Sequence, residues 1–123
     1  MRSIPRQDVP VVIADGGVEV RVLDQDGIMV GFVHLPAGAD LRPATKGLPE
    51  DLCPCPHWGY MLKGRVRMHT VDGHKDFVAG EAFYWARGHA PEALEDSEYV
   101  DFSPTDQFRR VIEHITSGAP ASA

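Results

Sequence analysis

Apolar and polar residues alternate with a period of two through most of the chain. Val18, Val20 and Val22 are interleaved with Glu19 and Arg21, and Val66, Met68 and Thr70 with Arg65, Arg67 and His69. Successive side chains of a strand point to opposite faces, so this pattern gives strands with one face buried. Ile28 to Leu35 is almost wholly apolar, as in a strand covered on both sides. Further strands are predicted at Val9 to Ile13, Val18 to Leu23, Trp58 to Lys63, Arg65 to Val71, Lys75 to Val78, Ala82 to Ala86 and Ser97 to Phe102. Asp26-Gly27 and Asp72-Gly73 are hairpin signals. Ala86 to Pro91 reads as a turn. The period changes after Ser103, where Phe108, Val111, Ile112 and Ile115 fall at helical spacing. Ser103 is the expected N-cap, with Pro104 at the first helical position and Asp106 in the first turn. The helix should end near Gly118. Its apolar stripe is expected to pack on the sheet, or else to form a contact between two copies.

Pro36 to Pro56 breaks this rhythm: it is proline-rich, has little periodicity and is long for a connection inside one domain. It runs into Cys53-Pro54-Cys55-Pro56-His57, and the chain has no other cysteine. On an extended segment Cys53, Cys55 and His57 face the same side. Pro54 and Pro56 restrict that segment and bias their neighbours away from helix. Thiolate ligands disfavour magnesium or calcium. The plainer reading makes each cysteine a small apolar filler. A Cys53–Cys55 disulfide is strained at so short a spacing.

The residues His57-Trp58-Gly59-Tyr60-Met61-Leu62-Lys63-Gly64 and Ala86-Arg87-Gly88-His89 resemble the paired motifs of single-domain cupins, of the H-x-G-Y-V-L-x-G and P-P-G-H type. The resemblance implies an all-β fold, a cupin-like jelly-roll β-barrel, here with a short C-terminal helix. It also implies that the second motif folds against the first and brings His89 opposite His57. The usual cupin ligands are replaced: His57 stands at the motif's glutamate position, Cys53 and Asp51 at its histidine pair, and Pro91 at its last histidine. The metal ligands expected are therefore His57, His89, Cys53 and Cys55, and two thiolates with two imidazoles suit zinc, or copper in its soft state. All four would close a structural zinc site, whereas three would leave a position open for water or substrate. Tyr60, Met68, Phe83 and Trp85 are candidates to line the barrel. Asp51 and Glu92 are candidate acid–base groups near the motifs. His34, His69, His74 and His114 have no matching spacing and read as structural or solvated.

Composition narrows the function further. At 123 residues the chain suits one domain, expected over residues 1–116, with 117–123 a small polar tail expected to be disordered. The net charge is −6 and the basic residues are scattered, which argues against nucleic acid as a partner. No apolar run is long enough to span a membrane, and the first residues lack a signal peptide's apolar core. The expected setting is the cytoplasm, where thiols stay reduced. The expectation is thus a metal-binding cupin, zinc being the leading metal, that acts as an enzyme on a small organic molecule. The alternative is a non-catalytic cupin that binds a small molecule or metal at a structural zinc site. A homodimer is expected from the family resemblance.

Overall fold

The structure, a computed structural model, describes residues 1–117. Nine strands and two helices are found among them: β1 (Val11–Asp15), β2 (Val18–Gln25), β3 (Ile28–Leu35), α1 (Arg42–Thr45), β4 (His57–Lys63), β5 (Arg65–Thr70), β6 (Gly73–Val78), β7 (Ala82–Trp85), β8 (Ala90–Ala93), β9 (Ser97–Pro104) and α2 (Thr105–Ser117). They form a six-stranded sheet, in the order β1-β2-β3-β9-β4-β7, and a three-stranded sheet, β6-β5-β8. Every pairing is antiparallel. The alternating positions meet in a core between the sheets: Val20, Val22, Val33 and Tyr99 from the larger sheet, Val66, Met68 and Ala93 from the smaller. No helix among the described residues is long and apolar enough to cross a membrane.

The departures from the sequence reading have local causes. β1 starts at Val11, not Val9, because Pro10 has no N–H for the ladder. Val9 is buried instead, at 1% exposure. The expected turn at Ala86 to Pro91 ends in a strand, β8, whose Pro91 pairs opposite Met68. Proline is tolerated there because β8 is an edge of its sheet. The long connection is not structureless, since it contains α1, a 3-10 turn at Pro49–Asp51, and isolated bridges Asp40 to Glu92 and Cys53 to His89. Of the expected tail, Ser117 is the last residue of α2, and residues 118–123 lie outside the described residues.

β9 continues past Phe102 to Pro104, so Ser103 is a strand residue and not the helix cap. The start of α2 is tied instead by Thr105: its N–H donates to the Gly27 carbonyl at 3.0 Å, and its hydroxyl bonds the Asp24 carboxylate. Phe108 and Val111 are buried, and Ile112 and Ile115 pack against the core. The apolar stripe of α2 is thus spent on the barrel. His114, near the helix C-terminus, bonds the Lys46 carbonyl at 2.9 Å.

Tyr60, a candidate barrel-lining residue, is 44% exposed on the outer face of the large sheet. β4 turns His57 and Met61 inward, so Trp58 and Tyr60 face out. Phe83, Trp85 and Met68 are buried in the core, as the alternation implies.

Candidate metal centre

Backbone pairing builds the site. The Cys53 N–H donates to the His89 carbonyl at 2.8 Å, and the Gly88 N–H to the Cys53 carbonyl at 2.7 Å. This short bridge fixes the proline-braced segment to the turn before β8. His57 opens β4 and pairs opposite Trp85 of β7. Three separate segments thus deliver Cys53, His57 and His89 to one point, where one ligand atom from each lies within 4.8 Å of the others. The Cys53 Sγ is 3.7 Å from His57 Nε2, and the two imidazole centroids are 5.0 Å apart. All three residues are at most 5% exposed.

The far nitrogen of each imidazole is already occupied. His89 donates its Nδ1–H to the Ala86 carbonyl at 2.6 Å. His57 Nδ1 is 2.5 Å from the Ser103 hydroxyl and 3.4 Å from Asp101 Oδ2. The Ala86 carbonyl can only accept, so it holds neutral His89 in the tautomer that leaves Nε2 as an acceptor, and with Nδ1 of His57 engaged by Ser103 it is Nε2 that faces Cys53. That is how a metal-ligating histidine is normally supported.

Burial keeps the groups uncharged. It pushes the His57 imidazole down to about 3, with His89 adding a smaller push in the same direction. Burial also lowers His89, against the opposing Ala86 hydrogen bond. It lifts the Cys53 thiol to about 11, although the Cys55 backbone works the other way. Cys55 is lifted to about 12, by burial and then by Cys53. The unloaded site is therefore two neutral imidazoles and a thiol, which must lose its proton before it can bind a metal as thiolate.

Cys55 stands apart from the three-residue cluster. The chain bends at Cys55 instead of staying extended, and Cys55 is not among the three residues whose ligand atoms lie within 4.8 Å of one another. Its Sγ is 3.4 Å from the Pro56 carbonyl, and Ser103 hydrogen-bonds to it. Both cysteines are free thiols. The candidate acids are engaged elsewhere. Asp51 accepts from the Gly47 N–H at 2.8 Å, and Glu92 pairs with His69 at 2.9 Å and Arg42 at 3.7 Å. His34 pairs with Asp96 at 2.7 Å. The ring of His74 meets that of His69 edge-on, at a centroid distance of 6.0 Å.

Asp101 is the site residue that sequence reasoning passed over. It is 2% exposed, and burial raises its carboxyl to about 7. Its neighbours directly across both flanking strands are glycines, Gly31 on β3 and Gly59 on β4. A Cβ on Gly31 would come within 2.2 Å of Asp101 Oδ1, so the missing side chain makes room for the carboxyl. The readable signal was the alternation Ser97, Tyr99, Asp101, Ser103, which puts an acid on the buried face of a strand.

Beside the cluster lies a cavity of about 80 Å³. Its walls are mostly apolar, with Val20 and Val33 from the sheet and Phe108 and Ile112 from α2; His57, His89 and Cys53 complete one side.

No protein-family model and no curated protein matches the sequence. Solved structures do match its shape. An RmlC-like cupin from Shewanella frigidimarina aligns with a TM-score of 0.59 at 15% identity, over 82% of this chain and 88% of that one. KdgF from a Halomonas species aligns at 0.59 and 22% identity, over 81% and 90%. An S161A mutant of Bacillus subtilis oxalate decarboxylase OxdC, an enzyme described as having Mn(II) centres, aligns at 0.62 and 20% identity, over 80% of this chain but 28% of that one. With its two antiparallel sheets and terminal helix, the chain has the fold these proteins share, and it is a cupin in architecture.

Proposed function

We propose that the protein is a metal-binding cupin in which Cys53, His57 and His89 hold one zinc ion, and that it acts on a small organic molecule in the adjoining cavity. The observation that carries this reading is the convergence of one sulfur and two imidazoles, each hydrogen-bonded at Nδ1, within 4.8 Å. One thiolate and two imidazoles suit zinc better than they suit manganese, which prefers oxygen donors. Three protein ligands leave a coordination position open toward the cavity, as in catalytic zinc sites. Zinc bound there supplies a Lewis acid that polarises an oxygen of the bound molecule or lowers the pKa of water. The chain's own residues hold the geometry: Ser103 and Asp101 orient His57, the Ala86 carbonyl orients His89, and the walls from β2, β3 and α2 exclude bulk water. The second reading is a closed, non-catalytic zinc site. It draws on Cys55, buried and two residues from Cys53, as the fourth donor.

Elemental analysis of the purified full chain tests the proposal. One zinc per chain is expected, falling below about a tenth in His57→Ala and His89→Ala. Failure to take up any divalent metal after reconstitution removes it. The pH dependence is also specified. Each zinc displaces the Cys53 proton, while imidazoles pushed below their ordinary range hold no proton to displace at neutral pH. Zinc affinity, measured by competition with a chromophoric chelator between pH 6 and 8, should therefore rise about tenfold per pH unit. A slope near zero means that Cys53 is not bound as thiolate. A slope near two means that a second proton leaves with it.

A further inference from the structure

Among the described residues, two buried side-chain polar atoms have no hydrogen-bond partner: Trp85 Nε1 and Asp101 Oδ1. Trp85 and Asp101 are 3% and 2% exposed. Both residues line the same cavity beside Cys53, His57 and His89. Buried polar atoms are nearly always satisfied, so an unpaired donor and an unpaired acceptor on two residues that line one cavity point to a missing molecule that pairs with both. The indole N–H requires an acceptor, and a carboxylate oxygen requires a donor.

Size and charge restrict that molecule. The cavity, at about 80 Å³, is smaller than the ~150 Å³ void that holds benzene in another protein, so it suits a ligand of roughly three to five heavy atoms. No lysine or arginine lines it among the described residues, and its one acidic side chain is Asp101. In the metal-free cavity a carboxylate or phosphate would be buried without a counter-charge, which is costly.

We infer that the cavity selects a short, uncharged molecule with a hydroxyl beside a carbonyl or a second hydroxyl, and discriminates against carboxylates and phosphates of equal size. The hydroxyl donates to Asp101, the other oxygen accepts from Trp85, and the carbon chain lies against Val20, Val33 and Phe108. This deepens the proposed function and rests on its assignment of the cavity as the ligand site. The donor–acceptor pair itself does not depend on the metal.

The indole N–H of Trp85 reports the test directly by heteronuclear NMR of the 15N-labelled full chain. Trp58, 50% exposed on the outer face, is the internal control, and Trp58→Phe assigns the two signals. Hydroxyacetone and glycolate, of equal size, are titrated into zinc-free and zinc-loaded protein. Hydroxyacetone is expected to shift the Trp85 signal in both forms and leave Trp58 in place. In the zinc-free form glycolate should need at least tenfold higher concentration. Equal or tighter binding of glycolate to that form overturns the inference, as does a Trp85 signal that neither compound moves. The metal proposal fails separately: if no zinc binds but hydroxyacetone still shifts Trp85, the ligand inference survives alone.

Discussion

Replacing Gly59 with alanine is expected to cost more than about 3 kcal/mol of folding stability. The added Cβ would sit 2.2 Å from the Val100 carbonyl oxygen, 2.4 Å from Phe83 Cζ and 3.0 Å from the Asp101 Cα. Two of these atoms belong to the backbone of β9, which is hydrogen-bonded between β3 and β4 and cannot retreat without breaking a ladder. The third belongs to a ring stacked on Trp85 at 3.6 Å between centroids, so it has little room to turn. Gly31→Ala is the informative comparison. Its Cβ meets the end of the Asp101 side chain, and a side chain can move where a strand cannot. Its cost should be smaller, with the damage appearing as looser support of His57. Urea midpoints at constant slope give both values. A Gly59→Ala midpoint close to that of the parent would show that β4 and β9 are not held as closely as described.

Zinc is the other large lever. At a thousandfold excess over its dissociation constant, a ligand that binds only the folded chain adds about 4 kcal/mol, or roughly 15 °C in Tm for a domain of this size. Cys53→Ala and His89→Ala should abolish that increment, whatever they do to the zinc-free melting point. Cys55→Ala separates the two readings of the site. If three residues bind, the increment survives this change, because the Cys55 sulfur faces Pro56 and Ser103. If Cys55 turns to complete a closed tetrahedron, most of the increment is lost with it. A parent protein whose Tm is unmoved by zinc or by chelator would remove the centre altogether.

The barrel was legible because alternation is strong wherever one strand face is buried; β3 was read to the residue, Ile28 to Leu35. β8 was hidden by brevity and by Pro91, since four residues give too little period to detect and proline speaks against a strand. The site was legible where chemistry is concentrated, at Cys53 and His57, and the family resemblance supplied His89. Asp101 was missed for a different reason: its importance lies in what flanks it. Gly31 and Gly59 come together only once β3 and β4 are placed on either side of β9. Cys55 was grouped with Cys53 and His57 on spacing along an extended segment, and the bend at Cys55 is a local feature that spacing does not reveal. Ser103 fitted a cap signature, yet the extended β9 turned its hydroxyl inward to His57.

The walls of the cavity are not equally stiff. Val20, Val33 and Tyr99 stand on strands bonded along both edges, and moving any of them means opening a ladder. The opposite wall, Phe108 to Ile115 of α2, rests on side-chain packing and is held by hydrogen bonds near its two ends, at Thr105 and His114. An oversized guest is therefore accommodated by lifting the helix. Upper size tolerance becomes a property of Phe108 and Val111, adjustable by trimming those two side chains, while the geometry around His57 stays fixed by the sheet.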